Sequence, residues 1–366
     1  MAKPNFHALT IADIDRTTQD TSIISFVVPD ELTDAFAFVP GQYLTLRATI
    51  DGVDTRRSYS ICSALGDAMI SVGIKRIDDG IFSNFVMELN VGDVMQVMTP
   101  QGRFQAPIGG THEYLMLAAG SGITPILSIT KSVLAHEHHS HITLCYANKQ
   151  INSVMFRDEI DDLKDRYMTR FSLAHMMTGE MQDVELFNGR LDAEKLETMA
   201  TKGLIRPEAC DAIYICGPQG MIESLAAKLG EMGVPEEKIK FELFTSSTPA
   251  AEKSGTARSG TARSKKSKTD ETAGKTEVNI IIDGSRRTIW MDKDDLLLDV
   301  AAHEGLDLPY SCANGMCATC RCHVADGEAA MRQNFSLEPW EMEAGFILSC
   351  QFTPKSDSVT LDFDAN

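Results

Sequence analysis

Three cysteines of the 366-residue chain crowd into nine positions, as Cys312, Cys317 and Cys320, spaced C-x4-C-x2-C. A fourth, Cys350, follows in Leu348-Ser349-Cys350-Gln351. Two irons joined by inorganic sulfide need four terminal thiolates. A short loop can deliver three of them and leave the fourth to a distant segment. Gly315 inside the loop supplies a sharp turn and lets backbone N–H groups approach sulfur. A zinc ribbon would use two C-x2-C pairs, and only one is present. A thioredoxin-like dithiol would account for Cys317 and Cys320 but not for Cys312 or Cys350. The pattern therefore predicts a [2Fe–2S] cluster on Cys312, Cys317, Cys320 and Cys350. Cys322 is expected to pack on the following strand. Cys62, Cys145 and Cys210 are expected to be packing cysteines in or near cores.

Other residues with chemical potential lie earlier. Arg57-Ser58-Tyr59-Ser60 falls on a predicted strand. There an arginine can clamp a pyrophosphate, an aromatic can stack on a flat ring, and a hydroxyl can bond a ring nitrogen. Taken alone, the four residues also fit any half-buried strand. Lys75 follows on a second strand, and Gly80 to Asn84 open a helix whose Ser83 and Asn84 stand at an anion-attracting end. Gly120-Ser121-Gly122-Ile123-Thr124-Pro125 directly follows an apolar run, and such a loop brings backbone N–H groups to a phosphate. It is G-x-G-x-x-P rather than the dinucleotide G-x-G-x-x-G. Cys216-Gly217-Pro218 ends a later strand. The second strand of that region ends Ala147-Asn148-Lys149-Gln150, with no acid before Asp158. Lys149 or Arg157 could meet a 2′-phosphate there, since a site selecting NAD usually places an acid at this end. Both also fit as surface charges. His136, His138, His139 and His141 are read as a solvated turn rather than a metal site.

These residues need elements to hold them. Short alternating segments over residues 6–50, punctuated by Val39-Pro40-Gly41 and Asp51-Gly52, predict a small antiparallel β-barrel over 1–110. From Tyr114 strands and helices alternate, with apolar runs at 114–119, 142–146 and 212–216 and helices at 126–134, 155–167 and 222–232. That alternation predicts a parallel α/β domain over 111–245, with ligands at the carboxyl ends of strands, where Gly120, Gly122 and Cys216 fall. Residues 246–276 repeat Ser-Gly-Thr-Ala-Arg and then carry Lys265, Lys266 and Lys268. Poor in aromatics and large aliphatics, this stretch is expected to be a flexible linker spanning roughly 30 Å. Residues 277–366 hold a hairpin at Asp283-Gly284, a helix at 296–304 and short strands near His323 and at 359–363. They predict a small sheet gripping one helix.

Composition sets limits. A hydrophobic content of 43% supports ordinary globular cores. No apolar run approaches the roughly 18 residues of a membrane span. Without an apolar signal region the chain is expected in the cytoplasm, where cysteines bind metal rather than form disulfides. The net charge of −18 argues against nucleic acid. Residues 277–366 alone carry sixteen acidic and six basic side chains, a surface suited to a protein partner with a basic docking patch.

Residues 1–245 resemble a ferredoxin–NADP reductase-type module, and residues 277–366 resemble a plant-type ferredoxin with a β-grasp fold. Their order is similar to that of the reductase components of bacterial multicomponent oxygenases. The most particular stretches are Arg56-Arg57-Ser58-Tyr59-Ser60-Ile61-Cys62, Met155-Phe156-Arg157, Phe187-Asn188-Gly189-Arg190, Asn334-Phe335-Ser336-Leu337-Glu338-Pro339 and Asp362-Phe363-Asp364. The resemblance implies that Arg57, Tyr59 and Ser60 contact the flavin, with Ser60 near N5. It places Lys75, Ser83 and Asn84 along the ribityl chain and pyrophosphate. The Gly80-x-x-Ser83-Asn84 form implies FAD, where the phthalate dioxygenase reductase type uses FMN. It assigns Gly120, Gly122, Thr124 and Pro125 to the pyridine nucleotide and sets Cys216, Gly217 and Pro218 beside the nicotinamide. Ser60 and Cys216 then flank hydride transfer, and NADPH is favoured over NADH. The implied activity is electron transfer from NAD(P)H through flavin and cluster to an oxygenase component. The alternatives are another acceptor, such as a Rieske-type oxygenase or a hybrid-cluster protein, or a redox-sensing or scaffold subunit without turnover. The linker is longer than the family leads one to expect.

Overall fold

The computed structural model describes residues 6–243 and 274–365. Most of the expected linker lies outside them, and the chain forms two compact units. In the first, β1 (Phe6–Thr18), β2 (Thr21–Val27), β3 (Tyr43–Ile50), β4 (Val53–Ser60), β5 (Ile70–Lys75) and β6 (Val94–Met98) build one sheet in the order β4-β3-β6-β1-β2-β5. All neighbours are antiparallel. Just past β4, Ile61 bridges Val72 of β5, and the Cys62 N–H donates to the Ser71 carbonyl at 2.8 Å. The two edge strands thus meet, and the sheet closes into the expected barrel. Period-two side chains fill it, among them Leu9, Ile11, Ile24, Phe26, Leu44, Leu46, Val72 and Ile74, none exposed. The β3–β4 hairpin turns through Asp51 and Gly52 at φ 51° and 80°, the positive pair that a two-residue type I′ turn demands. A short helix, α1 (Ile81–Val86), follows β5.

The same unit continues with β7 (Glu113–Ala119), β8 (His141–Asn148), β9 (Phe171–Met177), β10 (Ala212–Gly217) and β11 (Ile239–Leu243). They form a wholly parallel sheet in the order β11-β10-β7-β8-β9. Helices α2 (Ile123–His136), α3 (Arg157–Arg166), α4 (Ala193–Thr201) and α5 (Gln219–Glu231) connect the strands. From β7 the chain runs outward through β8 and β9, then returns to β10 on the other side. The crevice between β7 and β10 is therefore the switch point where such sheets bind ligands. The third helix begins at Arg157 and not at residue 155, because Phe156 takes a left-handed φ of 57° and cannot continue a helix. Phe156 instead packs inward. A Cβ at Gly73 of β5 would lie 2.9 Å from its ring and 2.7 Å from the Thr124 methyl, so glycine lets barrel and sheet touch. Buried Ser128 of α2 adds a hydroxyl bond to the Ser63 carbonyl at 2.7 Å.

The four histidines at 136–141 are exposed, and His141 pairs with Glu113 at 2.9 Å. Glu137 among them is buried, but it accepts from the Gly109 N–H at 2.8 Å and the Ser140 hydroxyl at 2.6 Å. Its carboxylate is engaged by the protein itself.

The second unit contains β12 (Thr276–Ile282), β13 (Ser285–Met291), α6 (Leu297–His303), β14 (Arg321–Asp326), β15 (Ala329–Met331), α7 (Pro339–Glu343), β16 (Phe346–Leu348), β17 (Phe352–Pro354) and β18 (Ser358–Asp362). The main sheet runs β13-β12-β18-β14-β16, with β15 and β17 paired apart. Strand β12 begins at Thr276, the last residue of the stretch read as linker. Leu297 and Ala301 of α6 pack on Val278, Ile280, Val359 and Leu361, giving the sheet-around-helix arrangement.

Candidate functional site

Residues 304–320, between α6 and β14, form the cysteine loop. Between Cys312 and Cys320 its tight course needs three left-handed residues: Ala313 and Ala318 at φ 54° and Gly315 at 74°. For alanine this conformation costs about 1–2 kcal/mol. It turns N–H groups toward sulfur: Asn314 and Met316 donate to Cys312 Sγ at 3.4 and 3.3 Å, and the Cys312 N–H points to Cys317 Sγ at 3.4 Å. The Gln351 amide reaches Cys350 Sγ at 3.6 Å and the Ala313 carbonyl at 3.0 Å, tying the fourth cysteine to the loop.

The four thiols associate two by two. Cys312 hydrogen-bonds Cys317, which raises the first and lowers the second. Cys320 does the same with Cys350, raising Cys320 and lowering Cys350. Two sulfur pairs, each with a partner that readily gives up its proton and with N–H donors already aimed, suit two irons carrying two thiolates apiece. Among the described residues, no group of three or more His, Cys, Asp or Glu is arranged for a single ion. Cys322 lies in the β-sheet core, where burial pushes its thiol up.

Sequence reading passed over Arg321. Its Nε lies 3.2 Å from Glu341 Oε1 of α7, and its guanidinium sits 3.8 Å from the centre of the Phe346 ring. Glu341 is 1% exposed. The pair clamps α7 and β16 to the residue next to Cys320.

In the first unit, strand alternation sets Arg57 and Tyr59 on one face of β4 and Ser58 and Ser60 on the other. Tyr59 packs against Phe82 of α1 with ring centres 5.9 Å apart, and burial raises its phenol. Arg57 is half-buried and donates to the Arg56 carbonyl at 2.8 Å. Ser60 donates to Glu242 Oε2 at 3.0 Å. Glu242 stands on β11 directly opposite Cys216 of β10. Burial first, and the Glu242 charge second, push the Cys216 thiol well up. Ser60 and Cys216 thus converge on one carboxylate at the switch point. Nothing in the sequence marks Glu242, because β11, the strand that carries it, is not among the predicted ones.

Other predicted residues are already engaged. Lys75 reaches Asp20 at 3.3 Å and the Ser153 carbonyl at 3.4 Å. Ser83 accepts from the Ile77 N–H at 3.1 Å and donates to the Gly80 carbonyl at 3.2 Å, while Asn84 donates to the same carbonyl at 2.8 Å. Ser83 and Asn84 therefore close the turn before α1.

Gly120 takes a left-handed φ of 54°, and its carbonyl accepts from the Tyr146 hydroxyl at 2.9 Å. Thr124 caps the turn through the Ser121 carbonyl at 3.0 Å. Pro125 occupies the first turn of α2, where no donor is missed. A Cβ at Gly122 would run into the Cys216 carbonyl, and one at Gly217 would lie 2.6 Å from Met221 Cε. The β7 and β10 loops therefore meet backbone to backbone. Pro218 and Lys149 are exposed, and Arg157 is exposed with Nε 3.9 Å from Asp161. A cavity of about 310 Å³ opens beside Arg157, between Asp15 and Thr18 of β1 and Asn152. Its lining includes neither Gly120 nor Cys216.

Comparison with known proteins agrees with this geometry. Residues 8–106 match the oxidoreductase FAD-binding domain family, residues 116–227 the oxidoreductase NAD-binding domain family, and residues 280–355 the 2Fe-2S iron-sulfur cluster binding domain family. The protein is an NAD(P)H-dependent flavin oxidoreductase that uses FAD and passes electrons to a [2Fe–2S] centre. The chain is 42% identical over 364 residues to one of the subunits of the 1,2-phenylacetyl-CoA epoxidase of Escherichia coli K12, covering 98% of each. It is 33% identical over 360 residues to the ferredoxin reductase component of 3-ketosteroid-9-alpha-monooxygenase of Rhodococcus rhodochrous, covering 97% of this chain and 96% of that one. It belongs to the ferredoxin–NADP reductase-type proteins fused to a [2Fe–2S] ferredoxin that serve as reductase components of multicomponent oxygenases. Phthalate dioxygenase reductase shares the fold, with a TM-score of 0.62 at 21% identity over 98% of both chains. No helix among the described residues is long and apolar enough to cross a membrane.

Proposed function

We propose that this reductase draws electrons from NADPH and delivers them singly to the oxygenase component of a phenylacetyl-CoA epoxidase in the cytoplasm. The observation that carries the reading is the 42% identity, end to end, to the epoxidase protein of Escherichia coli. Bound FAD supplies hydride acceptance and one-electron release, and the [2Fe–2S] cluster relays each electron.

The chain's own residues position those groups. Arg57 offers a fixed charge to the flavin pyrophosphate, with Lys75 and the turn held by Ser83 and Asn84 alongside. Tyr59 covers the flavin ring. The Ser60 hydroxyl, resting on Glu242, can rotate to donate to a ring nitrogen. Cys216 stays a neutral thiol and serves as packing beside the nicotinamide, with Gly217 and Pro218 shaping the turn. The N–H groups of the Gly120–Gly122 loop and the first turn of α2, with Thr124 and Pro125, meet the nucleotide phosphates. Lys149 and Arg157 meet the 2′-phosphate. Cys312, Cys317, Cys320 and Cys350 hold the cluster. The partner offers a basic patch to the acidic ferredoxin domain.

Reconstitution tests the reading. The reductase, NADPH, a phenylacetyl-CoA epoxidase oxygenase component and phenylacetyl-CoA should consume NADPH and form epoxide together. NADPH oxidation without epoxide formation would refute the acceptor assignment.

A further inference from the structure

Helix α7 spans under two turns and buries one side chain, Glu341. Trp340 is 61% exposed and Met342 42%, between the exposed carboxylates of Glu338 and Glu343. A single apolar side chain on a surface needs no explanation. This one stands on a helix tied to the cysteine loop at Gly315 and to the residue that follows Cys320. On one side the Asn334 amide bonds the Leu337 carbonyl at 3.0 Å and Met342 Sδ at 3.3 Å. The next two residues, through the Phe335 N–H and the Ser336 hydroxyl, hold the Gly315 carbonyl at 3.0 and 3.2 Å. On the other side Glu341 takes Arg321, the neighbour of Cys320, at 3.2 Å. A molecule seated on Trp340 is thereby held at a fixed distance from the four cysteines.

We propose that Trp340 is the anchor by which this protein docks its electron acceptor, and that the occupant is the oxygenase component, presenting an apolar hollow rimmed by lysine and arginine. The proposal rests on the function assigned above. The rival occupant is the chain's own flavin module, and charge argues against it. Residues 277–366 carry sixteen acidic and six basic side chains, and residues 1–245 carry thirty-three and twenty-one, so both modules are acidic. The flavin module also shares a chain with the cluster. Tethering gives it a high effective concentration without a dedicated anchor. A separate acceptor must be captured from solution, which calls for charge steering and a desolvated hot spot, and tryptophan is among the residues most enriched there.

The test uses full-length holoprotein: wild type, Trp340→Ala and Trp340→Phe. Electron delivery is titrated with a phenylacetyl-CoA epoxidase oxygenase component and, in parallel, with cytochrome c, a basic haem protein. Cluster reduction by NADPH is followed by visible bleaching. Trp340→Ala should need about thirtyfold more of either acceptor for half-maximal rate, the loss of one hot spot. Trp340→Phe should recover most of it, and internal cluster reduction should keep its wild-type rate. Unchanged half-saturation with both acceptors would overturn the proposal. Slowed internal reduction would also overturn it and assign α7 to the flavin module. If wild type fails to reduce the oxygenase, the acceptor assignment is wrong, and the cytochrome c titration still decides Trp340.

Discussion

Gly122→Ala should disable the nucleotide site while leaving flavin and cluster in place. Gly122 has φ −61° and ψ −8°, values that alanine adopts freely, so backbone strain is not the issue. Space is. The new Cβ would collide with the Cys216 carbonyl oxygen and lie 2.6 Å from its carbon and 2.9 Å from the Gly217 nitrogen. Those atoms belong to β10, held by β7 on one side and β11 on the other, and they cannot yield as a side-chain tip would. The loop must retreat by about 1 Å, and misplacement on that scale costs about a hundredfold in rate. Forced overpacking adds about 1–3 kcal/mol of destabilisation. Stopped-flow flavin reduction by NADPH should show the hundredfold loss in kcat/KM, with flavin content and the cluster spectrum unchanged. Gly120→Ala is the control, because its Cβ meets nothing within 4 Å and suffers only from φ 54°. A variant at position 122 with wild-type kcat/KM, or a more damaging Gly120→Ala, would refute the close-approach argument.

The cysteine assignments predict that serine at 312, 317, 320 or 350 removes the visible [2Fe–2S] spectrum, while Cys322→Ser retains it; a normal spectrum after Cys350→Ser would unseat the fourth ligand. The nucleotide assignment predicts a higher kcat/KM with NADPH than with NADH. Lys149→Ala with Arg157→Ala should erase a preference of about ten- to a hundredfold, the value of a charge-assisted phosphate contact; equal or better use of NADH by wild type would refute it. Cleavage between Ser247 and Lys275 should yield one piece that still reduces a dye with NAD(P)H and another that keeps the cluster, and two pieces that fail to fold would mean the domain boundaries are misplaced.

What the sequence made legible follows from which signals are local. The run at 114–119 is apolar on every residue, the pattern of a strand buried on both faces, and it is the central β7. The Asp-Gly turns at 51 and 283 declared their hairpins because few other residues accept positive φ. Strand β9 went unseen, since Ser172 and His175 interrupt its pattern. So did β11, Ile-Lys-Phe-Glu-Leu, whose five residues bury only Leu243 and give too short a run to stand out. With β11 went Glu242, a lone acid whose meaning comes from lying beside Cys216 on the next strand and meeting Ser60 from the barrel. Arg321 escaped for the same reason. Helix α3 was placed two residues early because Phe156 looks like the apolar face of a helix, and nothing short of its backbone angle says otherwise. The cysteine spacing is local, and so the ligand set could be named outright, but the pairing of the thiols two by two needs the third dimension.

The strand order β13-β12-β18-β14-β16 has a consequence for how this protein is made. Strand β18 is the last of its sheet to leave the ribosome, yet it lies in the middle, parallel to β12 and antiparallel to β14. Its Val359 and Leu361 are wholly buried. Until they are synthesised the sheet is two halves with open edges. The flavin and nucleotide modules, translated earlier, can fold during synthesis as domains generally do. A message cut short before residue 358 therefore yields the flavin and nucleotide modules joined to an unclosed ferredoxin sheet. Placing the closing strand at the centre makes completion of the sheet depend on the last of its strands to be translated.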